Sequence, residues 1–234
     1  MVFGRAGIDS RFSSSSVRGA CCIALCAWAC ASAASTEQVW LGQSVSVPAT
    51  ESLRLSLSNT TYIEHGEHFA NEEAANFRWT FVPSWAVGAG ITFGQDRIEH
   101  RWDWANRPTE HVAVDWRGEV GGWSLFDSNR FDLKFREGER DWVVYRQIAT
   151  VTAPAVTCLP WTPSPYLSQQ IYVSSRECFS GHDRFSQFRW SLGVRLTPVE
   201  PLHVSAYWQY RDIEEPEGGW TSFRIAGLSA ALVF

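Results

Sequence analysis

Residues 185–211 read FSQFRWSLGVRLTPVEPLHVSAYWQYR. Two strictly alternating runs flank a turn marked by Pro198 and Pro201. In the first run, Phe188, Trp190, Leu192, Val194 and Leu196 share one face, and Gln187, Arg189, Ser191, Gly193 and Arg195 share the other. In the second, Leu202, Val204, Ala206, Trp208 and Tyr210 oppose His203, Ser205, Tyr207, Gln209 and Arg211. Successive side chains of a strand point to opposite faces. The period therefore predicts a β-hairpin with one apolar and one strongly polar face.

The same period recurs on both sides of this hairpin. Val39, Leu41, Val45 and Val47 alternate in the first run, with Trp40 beside them. Leu53, Leu55 and Leu57 follow a turn at Pro48, and Phe77, Trp79 and Phe81 alternate with Asn76, Arg78 and Thr80. A tight turn at Pro83-Ser84 leads to Trp85, Val87, Ala89, Ile91 and Phe93, and then come Val112, Val114 and Trp116. After Gly118–Gly122, Phe131, Leu133 and Phe135 oppose Arg130, Asp132, Lys134 and Arg136. Residues 141–152 are β-rich but alternate poorly at Val143-Val144, and Ile171 and Val173 mark one more strand before the quoted hairpin. The last run ends with Ala226, Leu228, Ala230, Leu232 and Phe234. Polar loops are expected at 64–73, 95–108 and 212–219, and a proline-rich one at 153–166. Eleven strands are readable. Single-chain bacterial barrels have even counts, so twelve are expected, with ten as the next choice.

Residues 1–34 read as a cleaved secretory signal: Arg11 and Arg18, the apolar core ACCIALCAWAC at 20–30, then small residues at Ala31 and Ala33. The apolar run is too short for a spanning helix. Cys30 is a weak lipoprotein acceptor, because Trp28 stands where a small residue is expected. Removing the signal leaves residues 35–234 as one domain, more acidic than the full chain's net −5. No Lys/Arg block supports nucleic-acid binding. Only Cys158 and Cys178 remain in the mature chain, which suits an oxidising compartment.

Alternation alone does not say which face is inside, and a soluble β-sandwich that binds a ligand has the same period. Three features favour a transmembrane up-and-down barrel with lipid on the apolar side. Nearly every strand opposes its apolar face with Arg, Asp, Gln or Ser, and Trp or Phe flank the apolar runs as in aromatic girdles. Short turns alternate with longer polar loops. The terminal aromatic, with Leu228, Ala230 and Leu232 before it, looks like the signal read by the outer-membrane barrel assembly machinery. A spanning all-β chain must also close, because lipid leaves no backbone group a partner.

Segments 129–149, NRFDLKFREGERDWVVYRQIA, and 185–212, together with the run up to Glu177, carry a family resemblance. An Arg- and Glu-bearing pair of strands precedes a GxR-type strand and a Tyr-rich one. This resembles the bacterial outer-membrane barrels catalogued as domain of unknown function 2490, over about residues 39–234. The resemblance implies a barrel in the bacterial outer membrane. It carries no known activity, cofactor or site residue. Cys158, Cys178 and the proline-rich loop depart from its pattern.

Arg54, Arg78, Arg117, Arg130, Lys134, Arg189, Arg195 and Arg211 lie on the polar face with Asp115 and Asp132. They form either an anion-selecting pore lining or ion pairs that brace a filled lumen. The expected protein is thus a narrow porin-like channel or a structural barrel. It would sit among outer-membrane lipids and lipopolysaccharide, with no cofactor, and its oligomeric state is left open. His203-x-Ser205 with Glu217 is similar in spacing to outer-membrane lipid A deacylases, and a lipid A or phospholipid esterase is the enzymatic alternative. Against it, both residues fall on the lumen face. Glu64-His65-Gly66-Glu67-His68 offers metal-type ligands but reads better as a solvated loop. Glu214-Glu215-Pro216-Glu217 and residues 96–103 likewise read as solvated acidic loops rather than cation sites bridging lipopolysaccharide phosphates. Cys158 and Cys178 are a candidate disulfide. The strand between them is about 30 Å long, so a bridge requires the proline-rich loop to fold back into the lumen.

Overall fold

The computed structural model describes residues 37–65, 67–98, 101–103, 108–135, 141–157, 161–175, 185–214 and 219–234. These residues form strands and turns with no helix. The strands are β1 (Gln38–Pro48), β2 (Leu53–Glu64), β3 (Glu67–Val82), β4 (Trp85–Ile98), β5 (Arg101–Asp103) and β6 (Thr109–Val120). They continue with β7 (Trp123–Lys134), β8 (Trp142–Thr152), β9 (Ser164–Ser174), β10 (Phe185–Val199), β11 (Leu202–Glu214) and β12 (Trp220–Val233). Each barrel strand pairs antiparallel with the next, β4 with β6, and β12 returns to β1. The result is a closed up-and-down barrel, which leaves no unpaired sheet edge.

The even count expected from the sequence is not what closes the ring. Eleven strands form it, and the short β5 pairs only with the end of β4, through Asp96↔Asp103 to Ile98↔Arg101, outside the barrel. The eleven alternating runs are the eleven ring strands. With an odd number, the first and last strands run the same way, and β1 pairs β12 in parallel from Gln38↔Ile225 to Ser46↔Val233. Glu37 and Phe234 therefore stand at opposite ends of the barrel. Phe234 shares its end with the turns at Pro83-Ser84, Gly121-Gly122 and Glu200-Pro201.

The expected polar loop at 64–73 is mostly strand. β3 begins at Glu67 and pairs Asn71, Glu72 and Glu73 with Thr61, Thr60 and Asn59. Both faces are polar there, so hydrophobic alternation carried no signal. The hydrogen bond from Asn59 Nδ2 to Asn71 Oδ1 (3.1 Å) holds the outer face of this extension.

Exposure decides which face is inside. Leu57, Val112 and Phe131 are 61%, 57% and 51% exposed, whereas Asp132 and Gln209 are 4% and 2% exposed. That inverts the soluble pattern, in which apolar side chains go in. The polar faces also meet across non-adjacent strands. Arg78 on β3 reaches Asp115 on β6, and Arg189 on β10 lies over Trp40 on β1. Only the concave side of a closed sheet brings such strands together. Leu228, Ala230, Leu232 and Phe234 all point outward.

Candidate functional site in the barrel lumen

The lumen is built by period-2 geometry: the inward positions of the ring strands carry most of the buried polar and charged side chains. Arg54, Arg78, Arg117, Arg130, Lys134, Arg189, Arg195 and Arg211 stand at inward positions of their strands. The structure sorts them into two tiers.

The tier at the short-turn end holds Arg54, Arg78, Arg117 and Arg195. Arg54 Nη1 donates to the carbonyl of Phe234 (2.9 Å), tying β2 to the chain terminus. Arg78 Nε donates to Asp115 Oδ2 at 2.8 Å. The guanidinium of Arg117 lies 5.3 Å from the ring centre of Phe126, and that of Arg195 lies 4.9 Å from Tyr166. A guanidinium over an aromatic face is attracted by the ring quadrupole, so these arginines are held without a full complement of acids. His203 and Ser205 line the lumen at this end, opposite Ala231 and Ser229.

The second tier lies nearer the long-loop end and draws on most of the ring. Arg130 pairs with Asp132 as an ion pair. Arg189 lies 4.8 Å from the ring of Tyr172 and 5.1 Å from that of Trp40, and Arg211 lies 5.8 Å from Trp40. The guanidinium of Arg146 lies 5.6 Å from the ring centre of Tyr172, and its Nη1 donates to the Tyr172 hydroxyl (3.5 Å). Gln187 sits between Arg189 and Arg211. With its amide oxygen turned to them it accepts from Arg189 Nη2 (2.6 Å) and Arg211 Nε (3.1 Å). Tyr62 donates to Glu72 Oε2 at 2.6 Å, and Lys134 lies within electrostatic reach of Asp132 and Glu72. Among the described residues of this tier, five cations thus face Asp132 and Glu72, with Glu64, bonded to Gln38, one step further toward the long-loop end. The buried Arg146 Nε has no partner among the described residues. Trp40 projects inward from β1 and lies under the guanidiniums of Arg189 on β10 and Arg211 on β11.

Between the tiers the wall is packed and uncharged. Ser191 Oγ donates to Gln209 Oε1 (3.1 Å), and Thr150 and Ser168 share a hydrogen bond of 2.9 Å. Two glycines have a steric reason. A Cβ on Gly193 or Gly227 would run into the ring of Tyr166 or Tyr207, which lies flat across it from the neighbouring strand.

Sequence reasoning missed Arg146, Trp40, Tyr62, Glu72 and Tyr172 as lumen groups. Arg146 was hidden by the poor alternation at Val143-Val144; on β8 it is Val144 that faces inward, opposite Ser174. Trp40 carried a usable signal, since it is out of phase with Val39 and Leu41.

Among the described residues the remaining candidates do not form a catalytic or metal constellation. His203 Nδ1 is 3.2 Å from Thr197 Oγ1 and its Nε2 is 3.9 Å from Glu200, while Glu217 lies outside the described residues. The expected metal-type segment is a tight β2–β3 hairpin in which Glu64 accepts from Gln38 Nε2 (2.9 Å) and His68 bonds the Ala70 carbonyl (3.1 Å). No group of three or more His, Cys, Asp or Glu among the described residues is placed to hold a metal. Cys158, Cys178 and most of 214–218 and 96–107 lie outside the described residues or have undescribed side chains. An apolar groove lined by Val45, Leu57, Ala75, Ile91 and Leu133 lies on the outer face, not in the lumen.

No family model matches the chain. No curated protein matches it either. Among solved structures, a NanC porin in a rhombohedral crystal form matches with a TM-score of 0.48 at 14% identity, over 84% of this chain and 99% of that one. The strand pairing by itself gives a closed up-and-down β-barrel of eleven strands.

Proposed function

We propose that the chain is a bacterial outer-membrane β-barrel whose lumen is a narrow, anion-selective passage. The observation that carries this is the second tier, in which, among the described residues, Arg130, Lys134, Arg146, Arg189 and Arg211 stand against Asp132 and Glu72 at the level of the inward-facing Trp40. Surplus positive charge in a low-dielectric throat lowers the energy of an anion and raises that of a cation. Aromatic faces hold the guanidiniums in place of carboxylates, so the charge is fixed without being cancelled.

The exposed apolar belt supports lipid as the surrounding medium. Trp85 and Trp123 near the short-turn end and Trp220 near the other end are exposed as an interfacial girdle would be. In this reading residues 1–34 are the export signal. Outer-membrane lipids and lipopolysaccharide surround the belt, and the barrel assembly machinery reads Leu228, Ala230, Leu232 and Phe234. The resemblance to the barrels of domain of unknown function 2490 agrees with that placement.

The test is planar-bilayer conductance of the folded mature chain in a salt gradient. Discrete steps with a reversal potential of the anion-selective sign support the reading. A folded barrel that conducts cations preferentially, or not at all, rejects it.

A further inference from the structure

Four outward side chains break the apolar belt on one side of the barrel. Asp127 and Asn129 on β7 and Gln147 and Tyr145 on β8 hydrogen-bond to one another. Asn129 Nδ2 donates to Asp127 Oδ2 (2.7 Å), Gln147 Nε2 to Asp127 Oδ1 (3.1 Å), and the Tyr145 hydroxyl to Asn129 Oδ1 (2.5 Å). The outward face is not in doubt. Tyr145 packs on Phe131, with ring centres 5.3 Å apart, and Phe131 is half exposed.

The island lies within the belt, not at its rim. At its own level, Val114 and Trp116 flank it on β6, across from Asn129 and Asp127. Ile171 on β9 stands opposite Gln147. Toward one end come Val112 and Phe131, and toward the other Leu125 and Val151. A carboxylate facing lipid at that depth is costly, and such residues mark functional surfaces in membrane proteins. Lipid headgroups sit at the interfaces and do not reach it. Its partner is therefore another spanning protein.

We propose that this island is the contact face for a second copy of the chain, side by side in the membrane; the inference rests on the reading that lipid surrounds the apolar belt. A two-fold contact brings the same patch of each copy together, so the patch must complement itself. This one does. Each primary amide has a second N–H beyond the one given to Asp127, and the carboxylate has lone pairs beyond the two used. Across a two-fold axis the amides of one copy meet the carboxylate of the other. Ala149, exposed and directly opposite Asp127 on β8, leaves room for close approach of the two walls.

The test compares the mature chain with Asp127→Leu/Asn129→Leu/Gln147→Leu, by sedimentation in density-matched detergent and by single-molecule photobleaching in phosphatidylethanolamine–phosphatidylglycerol vesicles. Leucine on a lipid-facing wall does not threaten the fold, and the heat-modifiable gel shift of a closed barrel checks this. The wild-type chain should be dimeric, and the triple variant should lose at least nine-tenths of the dimer. Ala149→Leu should weaken the dimer, and Ala226→Leu on the far wall should leave it intact. A monomeric wild type, or a triple variant as dimeric as wild type, overturns the proposal. A partner of other chemistry would give a wild type that is monomeric when pure. A chain that folds and stays soluble without detergent would instead sink the membrane reading itself.

Discussion

Replacing Arg189 and Arg211 together by glutamine tests the lumen most directly. Arg189 stands 4.8 and 5.1 Å from the rings of Tyr172 and Trp40, and Arg211 stands 5.8 Å from that of Trp40, so both charges lie on one side of the lumen, and the scale is that of an anion passing about 5 Å from each. Two unit charges at that distance interact by about 0.8 kcal/mol in a water-like dielectric, and by about 3 kcal/mol at an effective dielectric near 20. The lower figure is the safer one for a wetted throat. Two such charges then amount to about 1.6 kcal/mol, on the order of tenfold in anion occupancy. Glutamine keeps a donor for Gln187 and most of the stem that packs on Trp40, so the barrel should remain closed. The reversal potential in a 0.1 M salt gradient should move markedly toward that of an unselective pore. At 1 M salt, where the Debye length is only about 3 Å, the difference from wild type should shrink. An unchanged reversal potential at low salt, in a variant that folds and conducts, would show that these arginines brace the wall without setting its selectivity.

Arg78→Leu should cost about 1–3 kcal/mol in urea unfolding, less than the roughly 3–5 kcal/mol of a fully buried pair, because Arg78 is 27% exposed while Asp115 is 12% exposed. Adding Asp115→Leu should recover most of that loss; failure to recover would mean that Arg78 acts through something other than Asp115. Leu57→Arg, on the outer belt, should destabilise the barrel in vesicles by about 2–4 kcal/mol, while an equal cost of nearly zero would argue that no lipid lies there. Gly227→Ala pushes a methyl into the Tyr207 ring and should cost about 1–3 kcal/mol by the same unfolding assay, and pairing it with Tyr207→Ala should remove that penalty.

Facing was legible in the sequence because it is local. A strand's pleat sends alternate residues to opposite sides, so the alternation around Phe188–Leu196 and Leu202–Tyr210 already assigned Arg189, Arg195 and Arg211 to one side and the terminal Leu228–Phe234 set to the other. The eleven ring strands were each legible as alternating runs, but an even-count rule displaced that number, and closure and partnership were not legible, because they depend on how the sheet closes. Ring closure through a parallel β1–β12 pair makes the count odd, a choice that no single strand records. Curvature then decided which inward residues meet: Arg78 with Asp115 across β4, Trp40 with Arg211 across β12, and Trp40 with Arg189 across β12 and β11. It also divided eight look-alike cations into a mouth and a throat. The polar extension of β3 and the Asp127 island escaped the sequence reading for one physical reason. Hydrophobic alternation reports a strand only where its two faces meet different media, and it says nothing where both are wet or where a polar group faces out to meet a partner.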